Sequence, residues 1–121
     1  LMQLRESQLQ QVTTYLQQQG ILAAWLYGSF AKGTANEHSD IDLALLLPEN
    51  TDSWQLLPEI DHSLSEMTQR DANSVSIIQA PTPLAYEAIQ GQRLFGEADA
   101  MLIEQRIWSK WEDYNYWSKQ G

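Results

Sequence analysis

The sequence predicts an α/β fold of the α+β kind, a small mixed sheet of about four strands covered by helices, and three observations lead there. Two compact apolar runs, Ile21 to Tyr27 and Ile41 to Leu47, have strand length and are bounded by Gly20, Gly28-Ser29 and Pro48. Segments with helical spacing stand before, between and after the strand-like runs, with no internal repeat and no linker. The 121 residues, 43% hydrophobic and 19% charged, suffice for one core, so residues 1–121 read as a single domain.

Leu4, Leu9, Val12, Tyr15 and Leu16 recur at near-helical spacing in a Gln-rich segment that Gly20 stops: a surface helix with one apolar stripe. Ile21 to Tyr27 is a buried strand ending at Gly28-Ser29, followed by a turn or short helix containing Gly33. Ile41 to Leu47 is the second strand, closed by Pro48. Thr51 or Asp52 caps a helix running to about Arg70, which Pro58 threatens to kink or split. Val75 to Ile78 is expected as the third strand, Pro81 opens a short helix to about Gln90, and Arg93 to Phe95 reads as an edge strand stopped by Gly96. Ile103, Ile107, Trp111 and Tyr114 then mark a long helix over 97–119, unusually rich in aromatics.

Composition excludes several functions. Sixteen acidic against seven basic residues give a formal charge of −9, unlike a surface built to neutralise phosphates, so direct nucleic-acid binding is not expected. That balance suits a basic partner or a site that concentrates cations. With no cysteine there is no disulfide, thiol catalysis or thiolate-bound zinc. The longest apolar run, Leu43 to Pro48, is too short for a bilayer, and no secretory signal pattern opens the chain. A cytoplasmic protein without membrane contact is the expectation.

The chemistry concentrates in GSFAKGTANEHSDIDLALLL, residues 28 to 47. On a strand, Asp40 and Asp42 project to the same side while Ile41 and Leu43 face the core. Paired carboxylates repel unless a cation lies between them, and their oxygens suit Mg²⁺, which completes its shell with water and substrate phosphates. Gly28-Ser29, at the end of the preceding strand, supplies the complement: a backbone that a phosphate can approach closely and a hydroxyl to bond it. Lys32 is the only Lys or Arg between Arg5 and Arg70, placed either to meet a triphosphate or to offset the local acidity. Phosphate cradle and metal site together read as a nucleotide-handling device.

Gly-Ser, ten residues, then Asp-x-Asp resembles the signature of the DNA polymerase β nucleotidyltransferase superfamily, and the short chain is similar to its minimal nucleotidyltransferase (MNT) branch. Many members of that branch are antitoxins paired with HEPN-domain ribonuclease toxins. The strong motif covers about twenty residues. At average residue frequencies, four fixed residues at fixed separation arise by chance at about one in 10⁵ per start position. The order of elements agrees with the branch as far as the RLFGE run at 93–97. The resemblance implies a polymerase-β-like fold, phosphates bound at Gly28 and Ser29, and Mg²⁺ held by Asp40 and Asp42 as the catalytic pair. It further implies transfer of AMP from ATP to a hydroxyl of a HEPN toxin, with a tyrosine as acceptor. The family also expects a third carboxylate on the next strand, as metal ligand and general base. Ser76 is expected at that position, and a one-residue slip would place Asn73 or Ser74 there instead; the nearest carboxylate is Asp71. A neutral side chain cannot take the attacking hydroxyl's proton at neutral pH, so a degenerate domain that neutralises its toxin by binding alone is the alternative. An aminoglycoside-type nucleotidyltransferase ranks behind both, since a small-molecule pocket usually needs a second domain.

Other features carry bland readings. His38 reads as an exposed loop residue, and His62 with Glu59 and Glu66 as a surface helix face without an HExxH pattern. Trp108, Trp111, Tyr114, Tyr116 and Trp117 exceed what one core stripe can take, which points to an interface on the last helix, homo- or hetero-oligomeric. Tyr114 and Tyr116 are also conceivable nucleotide acceptors in cis.

Overall fold

The computed structural model describes residues 3–120. Among them five helices and four strands follow one another as α1 (Glu6–Gln18), β1 (Ala23–Tyr27), α2 (Ser29–Lys32), β2 (Ile41–Leu46), α3 (Ser53–Thr68), β3 (Ala72–Ser76), α4 (Thr82–Ile89), β4 (Gln92–Phe95) and α5 (Glu97–Gln120). The sheet order is β3-β2-β1-β4, with β1 antiparallel to both β2 and β4 and β2 parallel to β3. This is the expected small mixed sheet covered by helices.

The two central strands have apolar residues on both sides because both sheet faces are covered. Ala24, Leu26, Ile41, Leu43 and Leu45 pack with Val12 and Leu16 of α1 and Ile60 and Leu64 of α3. Ala23, Trp25, Ala44 and Leu46 pack on the other face with Ala85 and Ala88 of α4 and Ala100, Ile103 and Ile107 of α5. Small alanines on α4 let it lie close enough to cover the Trp25 ring, which is fully buried. The Trp25 indole N–H donates to Glu104 Oε2 (2.9 Å), and Arg93 grips the same carboxylate through Nε and Nη2 (2.9 and 2.8 Å), pinning α5 across β1 and β4.

The helix α3 is capped as its sequence suggests, with the Asp52 side chain accepting from the Trp54 N–H. Pro58 does not split it. The i−4 bond that a proline at 58 cannot make falls on the carbonyl of Trp54, an exposed residue of the first turn. No described helix is long and apolar enough to cross a membrane.

Candidate functional site

The strand β1 ends at Tyr27, and the chain turns into α2 through Gly28, whose φ of 72° and ψ of −150° belong to a region essentially reserved for glycine. Antiparallel pairing sets Tyr27 opposite Asp42, so the start of β2 lies beside that turn. The approach is close: a Cβ at Gly28 would collide with Asp42 Oδ2 and come within 3.1 Å of its Cγ. Glycine at 28 is therefore what lets the carboxylate lie against the backbone of the turn.

Asp42 is half-buried and Asp40, just before β2, is exposed. Asn73 of β3 is the register partner of Asp42, and its Nδ2 donates to Asp40 Oδ2 (3.3 Å). Burial pushes the Asp42 carboxyl up, the charge of Asp40 pushes it further, and Glu87 of α4 adds to this; the hydrogen bond from Asn73 offsets part of the rise. Tyr27, buried and facing the charges of Asp42 and Glu87, has its phenol pushed up to about 12 and stays protonated. Ser29 is half-buried in the first residue of α2. Lys32, at the other end of α2, pairs with Glu87 (Nζ to Oε1, 3.1 Å). Thus Asp42 meets the Gly28 turn and Asp40 is tied to Asn73 beside it, while the lysine reaches across to α4.

The third-carboxylate position needs correction. The sequence places the third strand at Val75–Ile78 with Ser76 beside the aspartates; the observed β3 begins at Ala72 and ends at Ser76. Ser76 pairs with Leu45, is buried, and by alternation faces the α1–α3 side of the sheet, away from Asp42. The residue beside the aspartates is Asn73. The physical cause is that β3 is an edge strand with a polar sequence, so its apolar continuation misleads: Ile77 lies past the strand and Ile78 is 59% exposed. Among the described residues no three His, Asp or Glu side chains are grouped to hold a metal ion.

Two residues passed over in the sequence shape this site. Arg70, just beyond α3, donates from Nη1 to the carbonyls of Asn36 (3.0 Å), Glu37 (3.3 Å) and Ser39 (3.1 Å), and its guanidinium lies 4.9 Å from the Phe30 ring centroid. It ties the loop that delivers Asp40 to α2. Glu87 is the other, hidden from sequence reading because only the packing of α4 brings it to Lys32. Both histidines are peripheral: His38 is exposed beside Glu37, and His62 pairs with Glu66 on the open face of α3. On α5, Ile107 is buried and Trp111 stacks on Tyr86 (4.4 Å), but Tyr114 is exposed and stacks on Trp111 (5.5 Å), outside the core. Trp108, Tyr116 and Trp117 are exposed as well.

A family model described as polymerase beta, nucleotidyltransferase matches residues 10–100, which include the whole of this site. The chain belongs to the polymerase beta nucleotidyltransferase family. It is 32% identical over 76 residues to the protein adenylyltransferase MntA of Shewanella oneidensis; that alignment takes in 60% of this chain and 52% of MntA, so the chain spans about half the length of this curated relative. Its fold matches a chain of a toxin–antitoxin crystal structure with AMP-PNP (TM-score 0.81, 22% identity, 97% of this chain and 94% of that one). It also matches a chain of a tri-AMPylated Shewanella oneidensis HEPN toxin in complex with MNT antitoxin (TM-score 0.79, 18% identity, 97% and 94%). At these identities the structural likeness establishes the polymerase-β-like fold. The family match ends near the start of α5, leaving most of the aromatic helix outside it.

Proposed function

We propose that residues 1–121 act in the cytoplasm as one minimal nucleotidyltransferase domain, an antitoxin that transfers AMP from ATP to a hydroxyl of a HEPN toxin. The single observation that carries this reading is the seating of Asp42 against the Gly28 backbone, with Asp40 beside it. The relatives support the finer part: one is named a protein adenylyltransferase, and a fold neighbour is an antitoxin in complex with an AMPylated HEPN toxin.

The donor set fits Mg²⁺. Two neighbouring carboxylates, one driven up partly by the charge of the other, gain from a cation, and Mg²⁺ takes one or two carboxylates plus phosphates. Asp40 and Asp42 are the residues that would hold it, and when bound it would neutralise the triphosphate and polarise the reacting phosphoryl group. In this reading the Gly28 backbone and the Ser29 hydroxyl bind phosphate oxygens, and the missing Cβ at Gly28 keeps the approach open. Asn73 holds Asp40 in place through its amide. It cannot accept the acceptor hydroxyl's proton, so that proton leaves to the acceptor's own surroundings or to solvent. The exposed aromatics of α5 (Trp108, Tyr114, Tyr116, Trp117) are the surface we assign to the partner.

Incubation of the chain with labelled ATP, Mg²⁺ and a HEPN toxin, the product of an adjacent gene being the first candidate to try, tests the proposal. Label on a toxin tyrosine, lost in Asp40→Ala, is expected; no transfer, or transfer unchanged in Asp40→Ala, overturns it. Asn73 itself favours a second reading, neutralisation by binding alone. There, neutralisation survives Asp42→Asn with no label transferred. Asn73→Asp separates the two, because restoring a base in an active enzyme raises transfer by about tenfold or more and leaves a pure binder unchanged.

A further inference from the structure

The Lys32–Glu87 pair is unusual for its position. Lys32 closes the four-residue helix α2 that begins at the Gly28-Ser29 turn, and its ammonium is held 3.1 Å from a carboxylate on α4, a different element on the same side of the sheet as Asp42. Both side chains are substantially exposed, 61% and 43%, so the pair is freely exchangeable and contributes little to the fold. Arg70 is committed to loop carbonyls and the Phe30 ring, whereas Lys32 lies one helical turn from Gly28, its backbone N–H donating to the Gly28 carbonyl (3.0 Å).

We propose that Glu87 is a built-in competitor for the nucleotide: it holds Lys32 across the mouth of the site until a triphosphate exchanges places with it. The inference rests on the nucleotide reading above and adds a regulatory contact to that site. The exchange breaks one ion pair and forms another, with no covalent step. A triphosphate carries more charge than one carboxylate and so wins the ammonium, whereas an uncharged or monoanionic ligand does not. The latch thus discriminates by charge: triphosphate is favoured over monophosphate, and Glu87, released, adds negative charge at the mouth that hastens departure of the spent anion.

The test is Mg·ATP affinity of the full chain by calorimetry at low salt, for wild type, Glu87→Gln, Lys32→Gln and the double variant. Glu87→Gln is expected to tighten binding by about threefold to tenfold and Lys32→Gln to weaken it by a similar factor. In the Lys32→Gln background the gain from Glu87→Gln falls to less than about half, because the latch no longer exists. The ATP-to-AMP affinity ratio drops in Lys32→Gln. Unchanged or weakened binding in Glu87→Gln, or strictly additive effects, overturns the latch while leaving the nucleotide site standing, provided Asp40→Ala still abolishes binding. Wild type that does not bind Mg·ATP, or binding indifferent to Asp40→Ala, overturns the nucleotide reading and the latch with it.

Discussion

Gly28→Ala is the sharpest perturbation of this structure, because two costs fall on one methyl group. The backbone at 28 sits at φ 72°, ψ −150°, where a side chain costs about 1–3 kcal/mol. The added Cβ meets Asp42 Oδ2 and lies 3.1 Å from Cγ and 3.3 Å from Cβ, which adds an overpacking cost of about 1–3 kcal/mol. Central values sum to about 4 kcal/mol, a large share of the roughly 5–15 kcal/mol that holds a domain together. Gly33 supplies the control. Its φ is similarly positive at 75°, but nothing lies within 4 Å of an added Cβ, so Gly33→Ala costs about 1–2 kcal/mol. Urea unfolding followed by tryptophan fluorescence gives both numbers. At roughly 4 °C per kcal/mol, the two variants should melt about 8–12 °C apart. Asp42→Ala in the Gly28→Ala background removes Oδ2 and Cγ but not Cβ, and should recover only part of the loss. Equal stability of Gly28→Ala and Gly33→Ala would refute the claim that the carboxylate is seated on the turn, and the site geometry would go with it.

Arg70→Ala removes three charged hydrogen bonds and a ring contact, and should cost about 2–3 kcal/mol. It should also weaken Mg·ATP binding more than Arg70→Lys does, a difference calorimetry reads; equal affinity in wild type and Arg70→Ala contradicts the positioning role. Glu104 is held below the usual carboxylate range, first by its hydrogen bonds from Arg93 and then by Trp25. Its stabilising contribution is therefore full above the unfolded value and fades as pH falls through the depressed folded one. Thermal scans from pH 7 to 3 should show Glu104→Gln losing less stability on acidification than wild type, while Glu104→Ala, which strands the Trp25 indole N–H, loses about 1–3 kcal/mol at any pH. Asp42 has the opposite sign. Its carboxyl is pushed up, so ionisation penalises the folded chain above the raised value and not below the ordinary one. Asp42→Asn should raise the melting temperature of the ligand-free protein at neutral pH, with the gain vanishing as pH falls toward the ordinary carboxylate range, and should abolish the thermal shift given by Mg·ATP.

What could be read from the letters follows the physics of each element. β1 and β2 were legible because burial on both faces forces continuous apolar runs, and the Gly-Ser and Asp-x-Asp positions because spacing along two adjacent strands fixes which side chains meet. β3 was not. An edge strand need only be apolar where helices cover it, so ANSVS carries little pattern, and the apolar Ile77-Ile78 beyond it favours a strand set too far downstream, with Ser76 in place of Asn73. Of the positions the sequence offers, Ser76 and the slip alternatives Asn73 and Ser74, alternation counted back from Val75, whose partner Ala44 shares a face with Asp42, selects Asn73. Arg70 and Glu87 were illegible for a different reason: each acts on a segment distant in sequence, and only tertiary packing creates the contact.

The substitution of an amide for a carboxylate beside two aspartates has an electrostatic logic of its own. A third carboxylate at 73 would sit opposite Asp42, whose ionisation is already opposed by burial, by Asp40 and by Glu87. Asn73 instead donates to Asp40 and lowers the cost at Asp42, so it replaces a third repulsion with a hydrogen bond. The ligand-free fold gains from that exchange, and the site keeps enough charge for one divalent cation. It gives up the group that would take a proton. Under the proposed nucleotide reading, this trade favours holding the triphosphate over removing the acceptor's proton, and Asn73→Asp measures the difference.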